Sequence, residues 1–184
     1  NRTYTINPSI CFINFDPVQR EIFAADFRDR VVHHLIYNYI SPVFERVFIH
    51  DAYSCRKGKG TSYGIKRLEH FIRSCTENYK HEAYILKLDI KGYFMAMNRQ
   101  LLFDKVLAVL QKSSESLKPS ELYPTVIYLI EKVIFNDPTQ NCIIKGKQSD
   151  WNGLPASKSL FKAEPNCGLP IGNLTSQLFG NIYL

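Results

Sequence analysis

Asp89 is the residue of this sequence whose type and setting most invite chemistry. It closes the run Ala-Tyr-Ile-Leu-Lys-Leu-Asp-Ile-Lys-Gly-Tyr-Phe over 83–94, in which Tyr84, Leu86, Leu88 and Ile90 alternate with Ile85, Lys87 and Asp89. An ionised carboxylate at the end of an apolar strand is costly unless it meets a cation. It either caps the next helix or pairs with Lys87 or Lys91, or it serves a hard divalent ion, which takes carboxylate and phosphate oxygens together. Gly92 permits a tight turn behind it, and Tyr93 and Phe94 bring two rings beside the carboxylate. Three further groups suit phosphate. Arg56, Lys57 and Lys59 alternate with Gly58 and Gly60, a positive loop able to approach phosphates closely or simply to stay solvated, and not a P-loop by its spacing. Arg28 and Arg30 fall in the first turn of a helix, where cations oppose the dipole; they pair with Asp26 and Asp29 or face an anion. Gly168-Leu-Pro-Ile-Gly172 makes a tight loop with exposed N–H groups before a helix beginning near Asn173, either a generic junction or an anion site.

The elements that must position these groups follow from periodicity. Residues 83–90 are expected to form a buried strand, and 10–15 with 22–25 a small antiparallel sheet around the turn residues 16–20. From Asp26, which serves as cap, Val31, Val32, Leu35, Ile36, Tyr39 and Ile40 mark a helix that Ser41-Pro42 should interrupt, with a second segment through Val43, Phe44, Val47 and Phe48. Thr61 is expected to cap a helix whose face Ile65, Leu68, Phe71, Ile72 and Cys75 belongs in a core. Asn98 caps a helix bearing Leu101, Leu102, Val106, Leu107, Val109 and Leu110; Ser120 caps another bearing Val126, Ile127, Leu129, Ile130, Val133 and Ile134, with Pro124 in its first turn. The link 112–119 is polar. Residues 136–167 read as a long loop with one short strand, Cys142-Ile143-Ile144, kept basic by Lys145, Lys147, Lys158 and Lys162.

Composition bounds the possibilities. With 184 residues, 45% of them hydrophobic, the chain has enough apolar material for a real core in one domain of one or two lobes. Its net charge of +6 fits a polyanionic partner as well as an ordinary basic protein. The cysteines Cys11, Cys55, Cys75, Cys142 and Cys167 show no metal-ligand spacing, which fits reduced thiols in the cytoplasm. There is no membrane-length apolar run and no targeting segment, so no membrane partner is expected. The absence of an initial Met and the stop at Leu184 inside an apolar pattern suggest a piece of a longer protein.

Asp89, four residues, Phe94 resembles the first catalytic motif of reverse transcriptases and related palm-domain polymerases. The stretch Arg20-Glu-Ile-Phe-Ala-Ala-Asp-Phe-Arg28-Asp-Arg30-Val-Val resembles their fingers motif, and 168–179 resembles the motif that packs against template base and nucleotide. Pro170-Ile171-Gly172 with Ser176-Gln177 is most similar to bacterial and phage enzymes of diversity-generating retroelements, which copy template RNA into cDNA with frequent errors opposite adenine. Ile171 in place of a hydrogen-bonding Gln would remove a polar grip on the nascent pair. The resemblance implies an α+β fold, the fingers (1–82) and part of the palm (83–184, with a helical insertion and the 136–167 loop) of a right-hand polymerase. It also implies roles. Asp89 is the catalytic residue and, with the Ile90 backbone carbonyl, a ligand of Mg²⁺, two ions in the intact enzyme. Arg28, Arg30, Lys91, Gly92, Tyr93, Phe94, Ile171, Gly172 and Gln177 meet the nucleotide, with Phe94 excluding ribose. Arg20, Arg56, Lys57 and Lys59 meet nucleic acid. The implied partners are template RNA, a primer or cDNA strand, dNTPs and a basic accessory protein. Tyr-x-Asp-Asp and the thumb are missing, so the expectation is an inactive fragment of an active nucleotidyltransferase. The alternatives are a group II intron, retron or defence-type reverse transcriptase, or a non-catalytic nucleic-acid-binding module derived from one.

Overall fold

Ser9, Cys11 and Ile13 alternate with exposed or half-exposed neighbours, and Glu21 and Phe23 do the same ten residues on; both sets point inward. The resulting strands, β1 (Ser9–Asn14) and β2 (Arg20–Ala24), pair antiparallel with Cys11 opposite Phe23, as the sequence pattern predicts. A third strand, β3 (Cys142–Ile144), joins β1 in parallel, giving the order β2-β1-β3. The computed structural model describes residues 2–113 and 121–184. Over these the fold is mixed α and β: this small sheet and a set of helices.

Helix α1 (Phe27–Phe44) starts where Asp26 accepts from the Arg28 N–H at 3.0 Å. It runs unbroken through Pro42, where an interruption was expected. Proline removes one N–H bond. So near the C-terminal end that loss is small, and Ile40, Val43 and Phe44 stay buried on the same face. After the short α3 (Tyr93–Ala96), Asn98 caps α4 (Arg99–Lys112) by accepting from the Leu101 N–H at 2.9 Å. Helix α5 (Tyr123–Phe135) carries Pro124 in its first turn and buries Val126, Ile130 and Ile134 at four-residue spacing. Helix α6 (Leu174–Tyr183) packs on α1 and α4, and α4 packs on α5. The expected Ser120 cap and most of the polar link 112–119 lie outside the described residues.

The 136–167 stretch is built of short 3-10 turns at Pro138–Gln140, Gln148–Trp151, Ala156–Lys158 and Leu160–Lys162. It is tied to β2 by Glu21. That carboxylate, fully buried, accepts from Trp151 Nε1 (2.8 Å), the Ser159 hydroxyl (2.8 Å) and the Leu160 N–H (2.5 Å). Three donors offset the desolvation of a buried charge.

Contacts divide the chain into two units, Asn1–Val47 with Lys91–Leu184, and Phe48–Ile90. The division expected at 82/83 falls inside the second. That unit holds α2 (Thr61–Cys75), whose cap position is Gly60, not Thr61, and which has no buried residue. Ile65, Leu68 and Phe71, expected in a core, are 62%, 46% and 40% exposed. Residues 83–90, expected as a buried strand, belong to no strand, and Tyr84, Leu86 and Leu88 are exposed. Alternation prepares a segment for a ladder, but a strand exists only with a neighbour to bond. Among the described residues none pairs with it. No helix among the described residues is long and apolar enough to cross a membrane.

Candidate functional site

The first unit brings together three of the stretches singled out for nucleotide contact. Ala25, between β2 and α1, joins two of them. Its N–H donates to Asn173 Oδ1 at 3.2 Å, and its carbonyl accepts from Arg30 Nε at 2.8 Å. Two residues earlier, the Phe23 N–H donates to the Ile171 carbonyl at 2.8 Å. The 168–173 loop therefore lies along β2 and is joined through the backbone of Ala25 to Arg30. Gly172 has φ +120, and a Cβ there would stand 2.9 Å from Ile22 Cγ2 and 3.2 Å from the Phe23 carbonyl oxygen, so the close approach requires glycine.

The segment that follows Gly92 bonds to the same loop. Gly92 takes φ +63 at the N-terminus of α3, where a Cβ would meet the Ser157 carbonyl at 2.8 Å. Phe94 accepts through its carbonyl from the Leu169 N–H at 2.9 Å, and Met97 likewise from Gly168 at 2.8 Å. The Phe94 ring meets Tyr93 edge-on with centroids 5.5 Å apart. The Tyr93 hydroxyl donates to the Gly180 carbonyl at 2.5 Å, and burial raises that phenol to about 12. Phe94 and Ile171 pack against one buried cluster that includes Cys11 and Phe23. The loop N–H groups of Gly168 and Leu169, expected to be open to a ligand, are thus spent on the protein's own carbonyls.

The expected cations fare differently. Arg30 is exposed, and beyond its Nε bond its terminal nitrogens have no partner among the described residues. Arg28 is committed to the N-terminal arm: Nη2 donates to Asn7 Oδ1 at 2.9 Å and to the Thr5 carbonyl, and it pairs with Asp29 at 3.4 Å. Arg20, Lys91, Gly172 and Gln177 are exposed.

In the Phe48–Ile90 unit, Arg56 is only 8% exposed, which corrects its expected place on the surface. Its Nη1 donates to the Ile49 and Ala52 carbonyls, both at 2.9 Å, and its guanidinium lies 5.2 Å from the Phe48 ring centroid. It shapes the loop. Lys59 donates to the His50 carbonyl and lies over Tyr63, leaving Lys57 as the exposed cation of the three. Asp51, held well below the usual carboxylate range by its bonds from Arg67 and then Tyr53, anchors this unit.

Asp89 is exposed and neither caps α3 nor pairs with Lys87 or Lys91. With the Ile90 carbonyl it supplies only part of the octahedral oxygen shell that Mg²⁺ demands. No group of three His, Cys, Asp or Glu residues suited to a metal occurs among the described residues. The described side chains do not by themselves form the implied two-ion site.

Sequence reasoning missed the polar contacts that hold α1 to α6. His33 Nδ1 and Thr175 Oγ1 are 2.7 Å apart in the interior, and burial pulls the imidazole down to about 4, against the smaller opposite pull of Asp29. Asp29, 1% exposed, accepts from the Tyr4 hydroxyl (2.7 Å) and the Asn7 N–H (2.8 Å). Helical spacing offered the signal, since Asp29, His33, Ile36 and Ile40 share one face. Glu21 was legible in the same way, on the buried phase of β2 with Phe23. Compared with known proteins, the chain matches no family model and no curated sequence.

Proposed function

We propose that this chain is the fingers and partial palm of an RNA-directed DNA polymerase of the diversity-generating retroelement type. The observation that carries the proposal is the convergence on one buried cluster of Phe94 and Ile171, residues far apart in sequence, with Arg30 tied to the same loop through Ala25. A nucleotide-selecting surface needs such side chains held rigidly, because discrimination rests on fixed geometry. Arg30 offers its terminal nitrogens to triphosphate oxygens as a planar fork. Phe94, gripped through its carbonyl and by Tyr93, is a ring with little freedom to yield to a 2′-hydroxyl. Ile171 presents an apolar side chain where a polar one would discriminate among base pairs more sharply. Of Arg20, Arg56, Lys57 and Lys59, Arg20 and Lys57 are the exposed ones, each available to a template phosphate. A bound Mg²⁺ pair would stabilise the attacking hydroxyl and the departing pyrophosphate. Asp89 would give it one carboxylate, and the proposal requires further carboxylates from outside the described residues.

The test is primer extension on an RNA template by the natural gene product in which this chain occurs. Asp89→Asn is expected to abolish extension. Arg30→Ala is expected to raise the KM for dNTP at least tenfold, as loss of a charge-assisted contact of about 1.5–3 kcal/mol implies. Errors should concentrate opposite adenine. Accurate extension would move the protein to another reverse-transcriptase lineage, and RNA binding without extension would favour a non-catalytic module.

A further inference from the structure

One cavity has none of Asp89, Arg30, Phe94 or Ile171 in its lining. It is an open groove of about 610 Å³ between the N-terminal arm and α5, lined among others by Arg2, Tyr4, Tyr128, Glu131, Lys132 and Phe135. Its volume is in the range of ligand sites. The arm is seated on α5 by the Tyr128 hydroxyl, which donates to the Arg2 carbonyl (3.0 Å) and the Tyr4 carbonyl (3.2 Å). That bond leaves the Arg2 side chain to turn over the Tyr128 ring, with its guanidinium 5.8 Å from the centroid; Lys132 Nζ stands at the same distance, 5.8 Å. Arg2 and Lys132 form no ion pair among the described residues, so two cations face one carboxylate, Glu131, in the lining. Each lies within cation–π range of that ring.

We infer that this groove is a binding site for the phosphate backbone of single-stranded nucleic acid. Two exposed cations beside one aromatic ring in an open channel suit the backbone of such a strand. The channel is too open to enclose a small anion, and the chain's net charge of +6 favours a polyanion. Neither Asp89 nor Arg30 takes part, so the site does not rest on the polymerase proposal. In a polymerase it would hold template away from the reacting end.

The test uses the 184-residue chain and a fluorescently labelled single-stranded RNA of about 12 nucleotides, with anisotropy measured from about 0.05 to 0.3 M salt. Replacing both Arg2→Gln and Lys132→Gln removes two phosphate contacts while keeping polar side chains at exposed positions. At about 0.7 per contact for a single strand, the salt slope should shrink by about 1.4, and affinity near 0.1 M should fall about 25-fold. The matched pair Lys145→Gln and Lys147→Gln, also exposed, removes the same charge elsewhere and should change affinity less than about threefold. Hydrogen exchange on the unaltered chain should show RNA-dependent protection over 128–136. An equal loss from both pairs, an unchanged slope, no protection at 128–136, or equally tight binding of polyglutamate would overturn the inference. Arg30→Ala, which tests the polymerase site, should leave this salt slope within about 0.7 of the parent.

Discussion

The two units of this chain use apolar residues in opposite ways. In the first, Ile36, Ile40, Leu102, Val106, Leu110, Val126, Ile130 and Ile134 are fully buried, and Ile171 of the 168–173 loop packs on a buried cluster that includes Cys11 and Phe23. In Phe48–Ile90, α2 buries nothing, and the segment 83–90 exposes Tyr84 at 95% and Leu86 at 82%. What organises the second unit is polar. Arg67 binds Asp51 through Nε (2.7 Å) and Nη2 (3.0 Å), Tyr53 donates to the same carboxylate (2.7 Å), and Arg56 gathers two carbonyls. The contrast separates what burial fixes from what hydrogen bonds and rings fix without a core.

The widest gap between the units should come from truncating the interior of the first. Ile130→Ala removes a side chain with no exposed surface, packed where α5 meets its neighbours, and a large-to-small change there costs about 4 kcal/mol. Urea unfolding should register it as a lower midpoint. A loss under about 1 kcal/mol would mean that the α4/α5 interior is loose and that the contrast has been overstated.

His33 sharpens the comparison, because only the first unit has a buried titratable imidazole bonded across elements. Its pKa falls from 6.5 to about 4 on folding, through burial. Between those values the unfolded chain binds more protons, so stability is complete above pH 6.5 and is lost as pH falls toward 4. The full loss is about 3 kcal/mol at one unit per 1.36 kcal/mol. Thermal unfolding followed from pH 7 to pH 4.5 should show a steep decline that His33→Gln flattens; parallel curves for the two proteins would remove His33 as the cause.

The same contrast governs how much could be read beforehand. The β1/β2 pairing, α1 with its Asp26 cap, α4 with Asn98 and α5 with Pro124 were all legible, since each buries one periodic face of a local segment. The face of α2 and the alternation of 83–90 were equally periodic, yet neither is buried among the described residues. Periodicity reports a readiness to pack; only a partner decides whether packing happens. The chemistry divides likewise. The sequence marked Arg30, Phe94 and Ile171, but Arg56 gives no sign in its neighbours that backbone carbonyls will claim it. The 136–167 stretch was opaque because isolated 3-10 turns have no hydrophobic period, and what holds them is Glu21, distant in sequence.

If hydrogen bonds rather than a core organise Phe48–Ile90, removing the main ion pair should loosen that unit without unfolding the first. Arg67 and Asp51 are partly exposed, with side chains 27% and 32% accessible, so solvent screening keeps the pair's contribution small. Arg67→Met keeps the stem that lies over Phe71, whose centroid is 4.7 Å from the guanidinium, and deletes the charge. Hydrogen exchange should rise by about fivefold over 50–75 while 100–112 and 123–135 keep their protection. Faster exchange in both sets would mean that the two units unfold together.

The smallest effect tests the exposed face itself. Leu68 of α2 is 46% exposed. A surface substitution away from caps and cores shifts stability by no more than about 0.5 kcal/mol. Leu68→Ser should therefore leave the urea midpoint of the isolated chain within that range, although a serine is slightly poorer in a helix than leucine. A loss of 2 kcal/mol or more, of the order expected for an interior leucine, would show that this face is covered in solution. Repeating the measurement over a hundredfold range of protein concentration identifies the cover, since burial between copies makes the loss grow with concentration. A loss independent of concentration would assign the cover to the chain itself, and α2 would then follow the same rule as α5.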